Sequence, residues 1–518
     1  MKCAYCGKNN KPGAIICKRC GIAMPVAPPQ AKKDGGEPKA AEANDFSGAD
    51  SAAAKRRIRR AAAFSAIIAL AALFTLLAAF LISRAGGAIM PAAKSYSVRG
   101  GEAPYAFYCG EDACPAGFEL LSAETCLNGK TLALLAKNGA LFSGYKGETN
   151  AVENTTLDHA LSADGSTIVY RDVYGLLWSY KVKETKSAPV CLCTDPVASG
   201  FAVSPDGGSV VFNKLTDLKL CLYTGKSVRE LGDGLTPISV SNGGRHIYAY
   251  SVDENALYHL NKKGRETYIR SNLIGEIYLD SDHEEIAFSF ESGPSIIITM
   301  ASVRGGEPVE ILNSEGAVFP VVPAGAIRMS STVSGRKVNT CPFSSFEGKV
   351  FAGAALVRFS TKGAEVLEPN YCSDAVVSSD LRTVLYMNAG GLSRRKVKGE
   401  APAERIVEKC SEFLASSDCA RIWYLASDGS LHFVNGVRDA LISPAVISDL
   451  VVSDNGRLCA FTVSGSLFSN RNGNPKASYR YEDPTVLGLS SDRSGIYVLT
   501  ESGWEPLPKG GKRTDLTK

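Results

Sequence analysis

From Leu121 almost to its end, the chain repeats itself. Each copy has an apolar residue, Ser, any residue and then Asp or a substitute, often Gly, before a short run of β-branched and aromatic residues. The copies are LSAETCLNGKTLALL, LSADGSTIVYR, VSPDGGSVVFN, VSNGGRHIYAY, LDSDHEEIAFSF, VSSDLRTVLYM, ASSDCARIWYL, VSDNGRLCAFT and LSSDRSGIYVL. Their second positions are Ser122, Ser162, Ser204, Ser241, Asp280, Ser378, Ser416, Ser453 and Ser490, at spacings of 40, 42, 37, 39, 98, 38, 37 and 37 residues. The gap of 98 has room for a degenerate copy, which the pattern places at MSSTVSGRKVNT near Ser330, followed by the strand-like KVFAGAALVRFS. A unit of this size cannot bury its own apolar face, so it must stack on its neighbours. Ten such units fill the chain from Glu119 onward.

The chemistry inside a unit is that of tight turns and short strands. In VSPDGGSVVFNKLTDLKLCLYTGKSVREL, Asp206 can accept from backbone amides ahead of it, and Gly207 can take a positive φ. GFAV precedes this turn, and SVVFN, LKLCLY and SVREL follow it, separated by polar turns. Four short antiparallel strands per unit is the content of a propeller blade. The fold class expected is therefore mainly β, a β-propeller. The Ser-Pro-Asp-Gly turn at Ser204–Gly207 resembles the WD40-like repeat of TolB-type propellers, in which that turn joins two strands of each blade. The likeness extends over most of residues 119–500 but is loose elsewhere: Pro occurs in one copy only, and Glu124, Gly243 and Asn455 replace Asp. Single rings commonly have four to eight blades. Ten units then imply either one ring of about eight blades, with two units serving as a flanking strand pair or closing blade, or two smaller rings abutting near residues 290–340. The single ring is the preferred expectation.

Ahead of the repeats the composition changes sharply. Residues 61–83, AAAFSAIIALAALFTLLAAFLIS, carry no charge. At about 1.5 Å per residue such a helix spans a bilayer core of roughly 30 Å. Lys55, Arg56, Arg57, Arg59 and Arg60 crowd its N-terminal flank, whereas Arg84 stands alone past the other end. Cationic flanks stay on the cytoplasmic side. The expectation is an uncleaved signal-anchor in the cell membrane, single-pass, with the N-terminus cytoplasmic and the repeat domain extracytoplasmic. Residues 1–60 hold 13 Lys/Arg against 5 Asp/Glu, while residues 83–518 hold 44 against 48. The nearly neutral C-terminal part is unsuited to coating nucleic acid.

The first 24 residues, MKCAYCGKNNKPGAIICKRCGIAM, place Cys3, Cys6, Cys17 and Cys20 as two CxxC pairs, each followed by Gly. Two thiolates two residues apart can chelate one ion, and the following Gly lets backbone amides turn toward the sulfurs. Four thiolates close a tetrahedral site with no open position, which is structural rather than catalytic. Soft donors select zinc, with iron second. The segment resembles the short zinc-ribbon family at the N-terminus of many bacterial membrane proteins. The organisation expected is a zinc ribbon at 1–24 holding one structural Zn²⁺, a flexible basic linker at 25–60, a membrane helix at 61–83, a linker with entry strands at 84–118 and the propeller at 119–518.

No catalytic pattern accompanies the repeats. There is no GxSxG elbow, no phosphate-loop spacing and no HExxH, and the histidines His159, His246, His259, His283 and His432 are at least 13 residues apart. The recurring Asp residues read as turn residues rather than as a calcium site. Eleven cysteines follow the anchor; Cys109 and Cys114 are close enough to bridge, and Cys459 reads as a small core residue. Two functions from different classes stand: a non-enzymatic binding or scaffold protein whose propeller takes a protein, peptide or glycan, and a cell-surface hydrolase or lyase with catalytic residues spread over blades. Carboxylates, His or Arg concentrated in the central channel would mark the second. An apolar or aromatic patch on one ring face would mark the first.

Overall fold

The computed structural model describes residues 96–98, 105–108, 111–112 and, with short breaks, 120–516. Cys3, Cys6, Cys17, Cys20, the predicted membrane helix 61–83 and the pair Cys109 and Cys114 lie outside the described residues. Among the described residues no helix is long and apolar enough to cross a membrane.

The described residues form ten sheets. In chain order we call them blade 1 (120–153), blade 2 (156–193), blade 3 (202–232), blade 4 (235–271), blade 5 (273–314), blade 6 (318–368), blade 7 (372–407), blade 8 (410–443), blade 9 (449–481) and blade 10 (486–506). Strand Tyr96–Val98 joins blade 10, with Tyr96 opposite Ser490, so the first described strand is built into the last sheet. The strand Lys512–Thr514 returns to blade 9 and pairs with Ser478–Tyr481. Ten sheets stand where the sequence favours eight, and inner-strand residues of eight of them, blades 1 to 5 and 7 to 9, line one cavity, so there is one ring rather than two.

The repeated turn explains why most blades start alike. The Ser204 hydroxyl donates to Asp206 Oδ1 at 2.6 Å and accepts from the Ser209 amide at 2.9 Å, while the same carboxylate oxygen accepts from the Gly208 amide at 2.9 Å. Ser162 with Asp164, Ser378 with Asp380, Ser416 with Asp418 and Ser453 with Asn455 repeat the hydroxyl-to-side-chain bond. One Asp oxygen is thus spent on the turn. The residue three past the Ser has positive φ, being Gly165, Gly207, Gly244 or Gly456 in four copies but His283, Leu381 and Cys419 in others. At Gly207 the need for glycine is doubled, because a Cβ would stand 2.3 Å from Thr167 Oγ1 of blade 2.

Burial peaks at the second strand of most blades and falls toward the outer edge. Second strands such as Thr131–Ala136 and Val210–Asn213 are buried at every residue, because neighbouring sheets cover both of their faces. Outermost strands such as Val228–Gly232 and Glu404–Val407 are exposed and carry Arg and Glu, which discourages edge-to-edge pairing.

Blade 6 corrects the sequence reading. KVFAGAALVRFS does form its second and third strands, Val350–Gly353 and Leu356–Ser360, but the inner strand is Val318–Pro320. MSSTVSGRKVNT is not the blade's turn. It is a hairpin, Met329–Val333 and Arg336–Thr340, whose second strand pairs in parallel with the inner strand of blade 5, Val338 opposite Ile277. Ser334 and Gly335, both at positive φ, make its two-residue turn. Local hairpin chemistry is the same in either place; the sheet it joins is decided by long-range packing.

Candidate functional site

Because the inner strands of eight blades run past one central space, side chains one repeat apart in sequence converge there. They enclose a cavity of about 730 Å³, within the range of ligand sites. Small and aliphatic groups dominate its wall, among them Ala123, Ala160, Val203, Ile238, Val376 and Val451. The insertion of blade 6 crosses it. Residues 322–324 run beside the inner strand of blade 7, where the Ala324 amide donates to the Val377 carbonyl at 3.1 Å, and the hairpin then lies along blade 5. Its tip rests on blades 3 and 4: the Ser334 hydroxyl donates to the Pro237 carbonyl at 3.0 Å, and a Cβ on Gly200 would stand 2.4 Å from the Ser334 nitrogen.

Few ionisable groups reach the cavity, and most are matched. Asp158 accepts a two-point bond from Arg171, Nε to Oδ1 at 3.0 Å and Nη2 to Oδ2 at 2.9 Å. Glu124 accepts from the Leu161 amide and lies 3.8 Å from His159 Nε2. Arg328 stacks over the Tyr278 ring, 6.0 Å from its centroid. His283 sits at the positive-φ position of the blade 5 turn, with Nδ1 2.8 Å from Ser239 Oγ and 3.2 Å from the Val240 carbonyl, and Nε2 3.1 Å from Thr340 Oγ1 of the hairpin. Burial lowers its pKa to about 4, so the ring is neutral at pH 7. In the same turn Asp280 replaces the usual Ser; its Oδ1 accepts from the Glu284 and Glu285 amides, and burial pushes its carboxyl well above the usual carboxylate range.

One end of the ring carries an apolar arc. The turns between second and third strands of blades 2, 3 and 4 expose Tyr174 (79%), Leu218 (60%) and Val252 (65%), with Val173 and Leu215 beside them. Two of these turns are joined through the connection between blades 2 and 3, since the Val197 amide donates to the Gly175 carbonyl and the Leu215 amide to the Pro196 carbonyl, both at 2.8 Å. The turns they form are therefore held in one continuous surface.

Sequence spacing concealed one pairing. His246 and His259, 13 residues apart, stand on adjacent strands with Nδ1 and Nε2 3.1 Å apart and rings stacked at 5.3 Å. His432 stacks on Tyr424 at 4.9 Å, and Cys459 is fully buried as expected.

No protein-family model matches the chain, and no curated protein matches it. Among solved structures it is similar to a putative TolB from Agrobacterium tumefaciens, at 16% identity over 38% of this chain and 82% of that one, with a TM-score of 0.28. It is also similar to TolB from Acinetobacter baumannii, at 12% identity, 44% and 65% coverage and a TM-score of 0.30. A eukaryotic initiation factor structure covers 77% of this chain and 99% of its own at 8% identity, with a TM-score of 0.40. The fold itself is a mainly β chain of repeated four-strand antiparallel sheets, a β-propeller.

Proposed function

We propose that this is a non-enzymatic, membrane-anchored binding protein whose propeller captures a protein partner outside the cell, while an N-terminal ribbon holds one structural zinc in the cytoplasm. The observation that carries the binding reading is the exposed apolar arc at Tyr174, Leu218 and Val252, a surface that water disfavours and a partner would cover. The wall of the cavity supports it, being aliphatic with its one Arg-matched carboxylate neutralised. The test is cross-linking of the full chain in native membranes, followed by identification of the captured protein. Tyr174→Asp is expected to reduce that capture at least tenfold with an unchanged melting temperature, and equal capture by the variant would remove the arc from the reading.

The zinc and the topology have their own measurements. A purified 1–54 fragment is expected to hold one Zn²⁺ through Cys3, Cys6, Cys17 and Cys20 and to lose its structure with a chelator, because so small a segment has little core beyond the metal. Absence of metal by elemental analysis after growth in zinc-replete medium counts against the ribbon. Protease added to intact protoplasts is expected to degrade the propeller and spare the ribbon. The reverse pattern would place the propeller inside.

A further inference from the structure

The hairpin of blade 6 ends the six-stranded sheet of blade 5 with the strand Met329–Val333, which has a partner on one side only. All five of its residues line the central cavity. Its two-residue turn at Ser334 and Gly335 makes Val333 and Arg336 the first hydrogen-bonded pair, so Ser331 and Met329 also bond inward, opposite Val338 and Thr340. The amides and carbonyls of Ser330 and Thr332 point the other way, into the cavity. Among the described residues nothing bonds to them, and both residues are exposed. An unpaired row of this kind is a template for another strand.

We propose that the edge Met329–Val333 binds an extended peptide segment of the partner protein by adding it as a strand inside the ring. This rests on the binding reading given above and names its ligand chemistry. Backbone pairing needs an extended peptide, which a glycan does not offer. The five-residue edge, about 17 Å at ~3.4 Å per residue, sets the length of the paired segment. Charge sets its character. With Asp158 matched by Arg171, Glu124 and Arg328 leave one carboxylate and one guanidinium at the wall, which suits a segment of balanced or no net charge. The cavity wall around it includes Ala160, Val203 and Ile238, whose size suits small apolar side chains on the added segment.

The test uses the full chain in nanodiscs and a displayed library of random eight-residue peptides as the probe. Three changes separate backbone pairing from side-chain docking. Ser330→Pro and Thr332→Pro each remove an outward amide that the hairpin does not use, and proline is tolerated at such edge positions. Ser330→Ala and Thr332→Ala keep the amide and lose the hydroxyl. N-methylation of alternate peptide amides removes the same bonds from the ligand's side, and so gives an answer even where a proline variant folds poorly. Expected are selected peptides that lose at least tenfold in affinity for both proline variants, keep wild-type affinity for both alanine variants, and lose at least tenfold on N-methylation in one register. Equal binding to wild type and proline variants, or equal loss in alanine and proline variants, would overturn the edge as the site while leaving the binding reading to the cross-linking experiment. Recovery of no peptide, as when the chain's own tether or a second copy already fills the edge, would overturn it too.

Discussion

Trp423→Ala is expected to lower stability by about 3–5 kcal/mol. Trp423 lies in the second strand of blade 8, fully buried, its ring centroid 4.6 Å from that of Phe433. Truncation removes the largest side chain of that blade's core and leaves a cavity that rigid strands on both sides cannot close. Its second role crosses a blade boundary. The indole Nε1 donates at 2.9 Å to the carbonyl of Gly456, the positive-φ residue of the blade 9 turn, and Arg421 Nη1 reaches the adjacent Asn455 carbonyl at 3.2 Å. Trp423→Phe keeps most of the apolar volume and loses the bond, so it is expected to cost less, about 1–3 kcal/mol. Denaturant midpoints of the two variants measure the difference. If the phenylalanine variant were as unstable as the alanine one, the bond to the neighbouring turn would outweigh the packing.

That bond also shows what the sequence could and could not disclose. The turn that starts most blades was legible because its bonds are local: Ser204, Asp206, Gly208 and Ser209 find one another within five residues, so the pattern survives in the order of the letters. The four strands around VSPDGG were legible for the same reason. Blade 6 was not, because a serine-rich hairpin at Ser330 has the same local signature whether it starts a blade or extends the previous one. The number of blades went astray with it, since a count from typical rings knows nothing of how wide these sheets pack. The cavity was hidden by the same repeat that revealed the fold. Glu124, His159, Ser239 and His283 each come from a different blade and are anonymous in sequence until the ring brings them to one wall. The histidine pair His246 and His259 needed the register of two strands, in which His259 faces Tyr248 and His246 faces Asn261.

His283 makes stability depend on acid. The Val240 carbonyl, which can only accept, places the ring proton on Nδ1, and Nε2 accepts from the Thr340 hydroxyl. Its pKa falls from 6.5 in the unfolded chain to about 4 in the folded one, chiefly because burial disfavours the charged ring. Between those values the unfolded chain binds the proton and the folded chain does not, so the contribution is intact above pH 6.5 and is lost as the pH falls toward 4. The full loss is about 3 kcal/mol. Asp280 in the same turn acts with the opposite sign: its raised pKa means that the folded chain holds a proton the unfolded one has released, and stability declines as the pH rises. The two partly cancel in mildly acid solution, so the wild-type profile alone does not isolate either. A difference profile does. His283→Gly restores the residue that Gly165, Gly207, Gly244 and Gly456 supply in other copies at this positive-φ position, removes the titration and leaves Asp280 in place. At pH 7 the variant loses bonds to Ser239 and Thr340 but sheds backbone strain, and the net change is expected to be small. At pH 4.5 the wild type has lost most of its acid-sensitive contribution, and the glycine variant is expected to gain about 2–3 kcal/mol relative to it. Denaturant unfolding of both proteins at the two pH values measures this, and parallel curves would mean that His283 is already protonated, or solvated, in the folded ring.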